Sequence, residues 1–196
     1  MRWPLWKNCK PGMLNHWFRF STLLVFLFLC FLLPATNLEW SRAEIANGEY
    51  WRLITGHWVH IDINHLILNL GGLFLTGLLF TRQPPLSQWI AYLALSPLFI
   101  SVGLLLLLPD LLWYRGFSGT LHGLLVFTAI VNIRSEKVWA LTVLLFIVGK
   151  VTLEALGGSV TERGLLISAP VIVEAHSLGA ISGLMMGLFH WRHESF

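Results

Sequence analysis

Long apolar runs separated by short polar segments organise this chain. Six of them, at about 18–34, 63–80, 89–108, 118–133, 138–155 and 171–190, approach the roughly 20 mostly apolar residues that a helix needs to cross a hydrocarbon layer. They predict an all-α polytopic membrane protein, a bundle of six transmembrane helices forming a single domain over residues 1–196. The fourth run is short for a full span and begins at Ser118, so the chain ahead of it should dip below the membrane surface. Non-helical backbone at that depth is tolerated only where protein buries it or water reaches it, which is what a buried reaction site requires. The longest polar segment, 35–62, carries Trp40, Tyr50, Trp51 and Trp58 and suits a structured element at the lipid–water interface. The first run follows Arg2, Lys7, Lys10 and Arg19 but has no small-x-small cleavage site after Leu33-Pro34, and it reads as an uncleaved helix.

Composition narrows the class further. The chain is 56% hydrophobic and 12% charged, with a mean hydropathy of +0.69; a soluble domain of 196 residues needs more charge to cover its surface. The net charge of +3 forms no basic stripe, so it points to topology and membrane lipid and not to nucleic acid. An inside N-terminus assigns Arg2, Lys7, Lys10, Arg19, Arg82, Arg134, Lys137 and Arg192 to the cytoplasm, against Arg42, Arg52, Arg115 and Arg163 outside. That asymmetry predicts both termini cytoplasmic, with Glu39, Glu44, Glu49, Asp110 and Glu162 outside. Ser118 and His176 then both open helices on the outer face. Cys9 and Cys30 should lie at different depths and not pair, and no Cys/His zinc spacing is present.

Three groups of residues carry candidate chemistry. In Gly116-Phe117-Ser118-Gly119 the glycines permit a tight turn, and a helix starting there offers unpaired N–H groups to a developing oxyanion. The plainer alternative is that Ser118 caps the helix. Thr120 stands where the G-x-S-x-G elbow of soluble hydrolases has glycine. His176 opens the last run, and Gly179, Gly183 and Gly187 recur every four residues behind it, a smooth face on which a second helix can approach closely. The alternative for His176 is a packing histidine. Third come Trp51-Arg52, His57, His60, Asp62, His65 and Asn69. His65 and Asn69 share a helix face at i, i+4 and can donate to an oxyanion, while the histidines and Asp62 also allow a metal or a structural reading. His122, one turn after Ser118, is expected to pack against the site and not to act as base. Lys150 and Glu154, at i, i+4, are expected to neutralise each other. They and Glu174 read either as structural charges or as features that meet and select substrate.

Together these residues resemble the rhomboid family of intramembrane serine proteases. The resemblance runs from Trp51 to Gly187 and rests on Trp51-Arg52, the His60, His65, Asn69 series, Gly-x-Ser-Gly at Ser118 and Ala-His-x-x-Gly at His176. It implies Ser118 as nucleophile, His176 as general base and His65 with Asn69 as oxyanion pocket, a dyad with no third acid, no cofactor and no metal. The Gly-Phe-Ser-Gly-Thr-Leu-His-Gly segment, the Lys150…Glu154 helix and Val173-Glu174-Ala175-His176 look most like the rhombosortase subfamily. That implies a Gram-negative inner membrane, a site toward the periplasm, and exported substrates whose C-terminal Gly-Gly, hydrophobic and basic tails are removed. A catalytically inactive client-binding relative and, less well matched, a small transporter are the rival readings.

Overall fold

The computed structural model describes residues 11–80, 82–157 and 168–194. Arg2, Lys7, Cys9, Lys10, Glu162 and Arg163, which entered the charge and cysteine arguments, lie outside the described residues. In chain order the helices are α1 (Pro11–Phe31), α2 (Arg42–Ala46), α3 (Arg52–Thr55), α4 (Ile63–Leu79), α5 (Leu86–Leu107), α6 (Ser118–Asn132), α7 (Lys137–Gly157) and α8 (Val173–Glu194). A short antiparallel ladder joins β1 (Trp40–Ser41) to β2 (Trp113–Tyr114), with Trp40 opposite Tyr114. The architecture is all-α, and each long helix lies on one of the apolar runs.

Helices α5 and α7 are long and apolar enough to cross a bilayer, whereas Trp17–Phe31, α4 and α6 are shorter apolar helices. Helix length and composition are thus compatible with two spans and leave the count of six open. Only 22% of the apolar stretch of α7 and 33% of that of α5 is buried within the protein. A soluble core helix would be mostly buried, so outward-facing Leu145, Phe146, Val148 and Leu153 on α7 call for a hydrocarbon surrounding.

The polar segment 35–62 is tied down on the same side of the bundle as the start of α6. The β1–β2 ladder staples it to the α5–α6 connection. The Arg42 guanidinium donates to the carbonyls of Leu108 (2.7 Å) and Leu111 (3.0 Å), satisfying backbone acceptors left over where α5 ends. Arg52, buried, donates to Glu49 (2.6 Å) and to the carbonyls of Thr36 and Glu39 (2.8 and 3.0 Å). Of the Trp51-Arg52 pair, the arginine thus anchors the segment while Trp51 is exposed. Asp62 caps α4 by accepting from the His65 N–H at 2.8 Å, and its other oxygen accepts from the Ser168 N–H and hydroxyl at 2.7 and 2.6 Å.

Helix α6 is the centre of the molecule and packs most extensively against α8. Leu124 and Phe127 join α1, α4 and α5 in one core cluster, and Ile100, Leu104, Tyr114, Ala175 and Leu178 form another near the start of α6. Glycines on both α6 and α8 set the closeness of that crossing. A Cβ on Gly179 would overlap the Gly119 carbonyl, and one on Gly183 the Gly123 carbonyl.

Candidate active site

The turn ahead of α6 is built around Gly116. Its φ of +135° disfavours any side chain, and a Cβ there would stand 2.5 Å from Cε1 and 2.8 Å from Nε2 of His65. The Gly116 N–H donates to the Gly56 carbonyl at 3.0 Å, and the Tyr114 hydroxyl donates to the Gly116 carbonyl at 2.7 Å. Phe117, fully buried, takes the N-cap position with no side-chain cap bond. Ser118 is therefore the first helical residue and does not cap the helix, which corrects the plainer expectation for it. Its Oγ lies 2.9 Å from Nε2 of His176.

His176 sits in the first turn of α8, 4% exposed. Its second ring nitrogen, Nδ1, lies 2.9 Å from Oε2 of Glu154 on α7. The expectation of a pair with no third acid is corrected here: a carboxylate borders the histidine on the side away from the serine. Glu154 Oε1 accepts from Lys150 Nζ, so the expected i, i+4 ion pair forms, but its acidic member faces the histidine as well. The His122 ring stacks on the His176 ring, with centroids 4.2 Å apart and planes at 18°. Its Nδ1–H donates to the Ser118 carbonyl at 2.7 Å. Glu174 is exposed in the first turn of α8, where its charge complements the helix N-terminus, and it does not join this group.

His65 lines a cavity of about 260 Å³ together with Ser118, Ile61, Leu111, Tyr114 and Ile172. Asn69, one turn further along α4, is buried on the same helix. Asn69 Nδ2 and His65 Nδ1 have no hydrogen-bond partner among the described residues, which leaves donor capacity free. The remaining histidines of this stretch serve packing. His57 Nε2–H donates to the Ser101 hydroxyl at 3.0 Å, and the His60 ring meets His65 edge-on at 5.2 Å. Among the described residues, the grouping of three metal-capable side chains is His122, Glu154 and His176, within 4.8 Å of one another, and not the 57–65 cluster. Both oxygens of Glu154 and both nitrogens of His176 are already engaged with Lys150, Ser118 and each other, so these donors form a hydrogen-bonded chain and not an open cage.

The Rhomboid domain family pattern matches residues 47–193, a span that holds every one of these side chains. This chain belongs to the rhomboid family. Among its relatives is a Bacillus subtilis (strain 168) protein named "Putative rhomboid protease YdcA", 30% identical over 120 residues, 57% of this chain and 60% of that protein. Another is "Inactive RHOMBOID-like protein 8" of Arabidopsis thaliana, 38% identical over 47 residues, 24% of this chain and 13% of that one. This rhomboid thus spans less than two thirds of the length of either relative.

Two features of the rhomboid site were not read from its sequence. Tyr114, which supports the Gly116 turn and faces Ser118 and the Gly119 N–H, lies outside every motif; its buried place opposite Trp40 in the ladder is a long-range fact. Glu154 was visible as a charged residue in an apolar run, but its second partner is set by how α7 meets α8.

Proposed function

We propose that this rhomboid is an intramembrane serine endopeptidase in which Ser118 is the nucleophile and His176 the general base. The observation that carries the reading is the 2.9 Å approach of Ser118 Oγ to His176 Nε2, between two residues on different helices. In that geometry Oγ attacks a substrate carbonyl as its proton passes to Nε2. The carbonyl electrons move onto oxygen, and the resulting oxyanion is held by His65, Asn69 and the backbone N–H of Ser118. The proton then goes to the departing amine nitrogen as the C–N bond breaks, and water hydrolyses the acyl-enzyme.

The finer reading follows the resemblance of the Ser118 segment and the Lys150…Glu154 helix to rhombosortases. The substrates would be C-terminal Gly-Gly, hydrophobic and basic tails of exported proteins, released at the periplasmic side of a bacterial inner membrane. Six spans in one domain and two cytoplasmic termini belong to the same reading. His65 lines the same cavity as Ser118, and its free nitrogen together with that of Asn69, one turn along α4, supports the pocket assignment.

A serine-directed fluorophosphonate tests the chemistry without knowledge of the substrate. The full chain in membranes should be labelled, and Ser118→Ala and His176→Ala should each abolish labelling while remaining folded. Tail cleavage should fall as far in either single variant as in the double, because the two act as a unit. Substantial turnover by Ser118→Ala would sink the mechanism. Absence of labelling in the unaltered chain would favour a catalytically inactive, client-binding member; the Arabidopsis relative is named inactive.

A further inference from the structure

The mechanism above leaves Glu154 without a role, although it is a buried carboxylate touching the proposed base. Its side chain is 8% exposed, and its two oxygens face different partners: Oε1 meets Lys150 Nζ, and Oε2 lies 2.9 Å from His176 Nδ1. An ionised carboxylate only accepts hydrogen bonds, so Nδ1 must carry a proton. In a neutral imidazole the lone pair then sits on Nε2, the atom 2.9 Å from Ser118 Oγ. The other tautomer would set a lone pair against the carboxylate and aim an N–H at the serine oxygen, leaving no base. The His122 stack restrains the flat face of the same ring. α6 therefore holds Nε2 and one face of His176, through Ser118 and His122, and α7 holds Nδ1 through Glu154.

The geometry points to Glu154 as a positioning residue, the third member of a Ser118–His176–Glu154 line that keeps His176 in its proton-accepting tautomer and stabilises the imidazolium it becomes. This rests on the reading of Ser118 and His176 as nucleophile and base. As Oγ bonds to the carbonyl carbon, its proton moves to Nε2; the Nδ1 proton stays between the ring and Oε2. Glu154 itself takes no proton, and the proton on Nε2 leaves with the amine. Lys150, 34% exposed, offsets the carboxylate charge where hydration is poor. The pair therefore has a role other than substrate selection. Exchanging Lys150→Glu with Glu154→Lys, which preserves the pair as a pair, would set an ammonium against Nδ1 and should not restore activity toward any substrate.

The test uses the full chain in detergent and a fluorophosphonate as the probe, read as the rate of Ser118-dependent labelling. Glu154→Gln should slow labelling on the order of 10²- to 10⁴-fold, the scale of a mis-set catalytic tautomer. Because that variant strands Lys150, the neutral pair Lys150→Gln with Glu154→Gln is the decisive arm: it should be as thermally stable as the unaltered protein yet label as slowly as Glu154→Gln. Formate, a small carboxylate, should accelerate labelling of Glu154→Ala in proportion to its concentration. A low-field imidazole N–H proton resonance should persist in Ser118→Ala and vanish in the neutral pair. Labelling of the neutral pair at the unaltered rate would overturn the role of Glu154 and leave a structural ion pair. No Ser118-dependent labelling in the unaltered chain would instead overturn the protease reading, and this inference with it.

Discussion

At the residue scale, the site depends on what each polar atom is denied as much as on what it is given. Ser118 stands where a helix start invites a capping bond, but Phe117 occupies the cap and the hydroxyl turns to His176. Among the described residues, His65 and Asn69 are buried with ring and amide nitrogens unpartnered, an arrangement that costs stability in the resting protein. If they bind an oxyanion, His65→Ala and Asn69→Ala should each lower kcat by about 10- to 1,000-fold with a smaller effect on KM. Steady-state kinetics on a tail-bearing substrate measures the split. A chelator should leave turnover intact, since the 57–65 residues do not converge as ligands; loss on chelation with recovery on added zinc would reject the oxyanion assignment.

At the scale of elements, the Ser118–His176 geometry is a consequence of how closely α6 and α8 cross. Ser118 precedes Gly119 and His176 lies three residues before Gly179. These two glycines touch: a Cβ on Gly179 would overlap the Gly119 carbonyl and one on Gly119 would come within 2.6 Å of the Ala175 carbonyl. Backbone cannot yield as a flexible side chain can, so the helices must separate to admit a methyl group. Gly179→Ala is expected to cost about 1–3 kcal/mol, the usual range for overpacking, and to slow fluorophosphonate labelling by widening the serine–histidine gap. Gly149→Ala on α7, where a Cβ would meet nothing within 4 Å, is the control and should leave labelling unchanged. Equal behaviour of the two variants in thermal unfolding and labelling would show that the crossing does not set the site.

At the scale of the whole molecule, an apolar exterior surrounds a largely apolar core in which polar side chains are also buried, and the histidines outside the spans link its stability to pH. Burial lowers His57 from 6.5 to about 3. Burial and the neighbouring His65 lower His60 from 6.5 to about 3 as well. Both are neutral in the folded protein at pH values where an unfolded chain would protonate them. Their contribution is therefore fully present above about 6.5 and is lost as pH falls toward 3, because the unfolded state then binds more protons. Asp62 acts lower down. Burial pushes it up, but bonds from Ser168 and from the His65 and Ser168 amides hold it below 3.8, so its contribution is lost only below that value. The thermal midpoint in detergent should be flat above pH 7 and decline between about 6.5 and 3, with a shallower decline in His57→Gln. A midpoint independent of pH across that window would contradict the buried, neutral state of these rings.

The all-α architecture was legible in the sequence because a helix in hydrocarbon must satisfy its own backbone and show apolar side chains outward; that constraint writes itself as long apolar runs, and the long helices lie on them. Local spacing carried the next layer. The i, i+4 relations of His65 with Asn69 and Lys150 with Glu154, the glycine face of α8 and the glycine-flanked Ser118 are all properties of one helix or one turn. What only the tertiary structure decided is which faces meet. Whether Ser118 caps its helix or reaches a histidine, whether Glu154 spends both oxygens on Lys150 or turns one to His176, and whether Tyr114 supports the Gly116 turn depend on the rotation and depth of neighbouring helices. Those are set by close packing between distant segments, of α6 on α8, α7 on α8 and β1 on β2. Periodicity along the chain fixes which side of a helix a residue occupies, but the partner on that side is chosen by the packed whole.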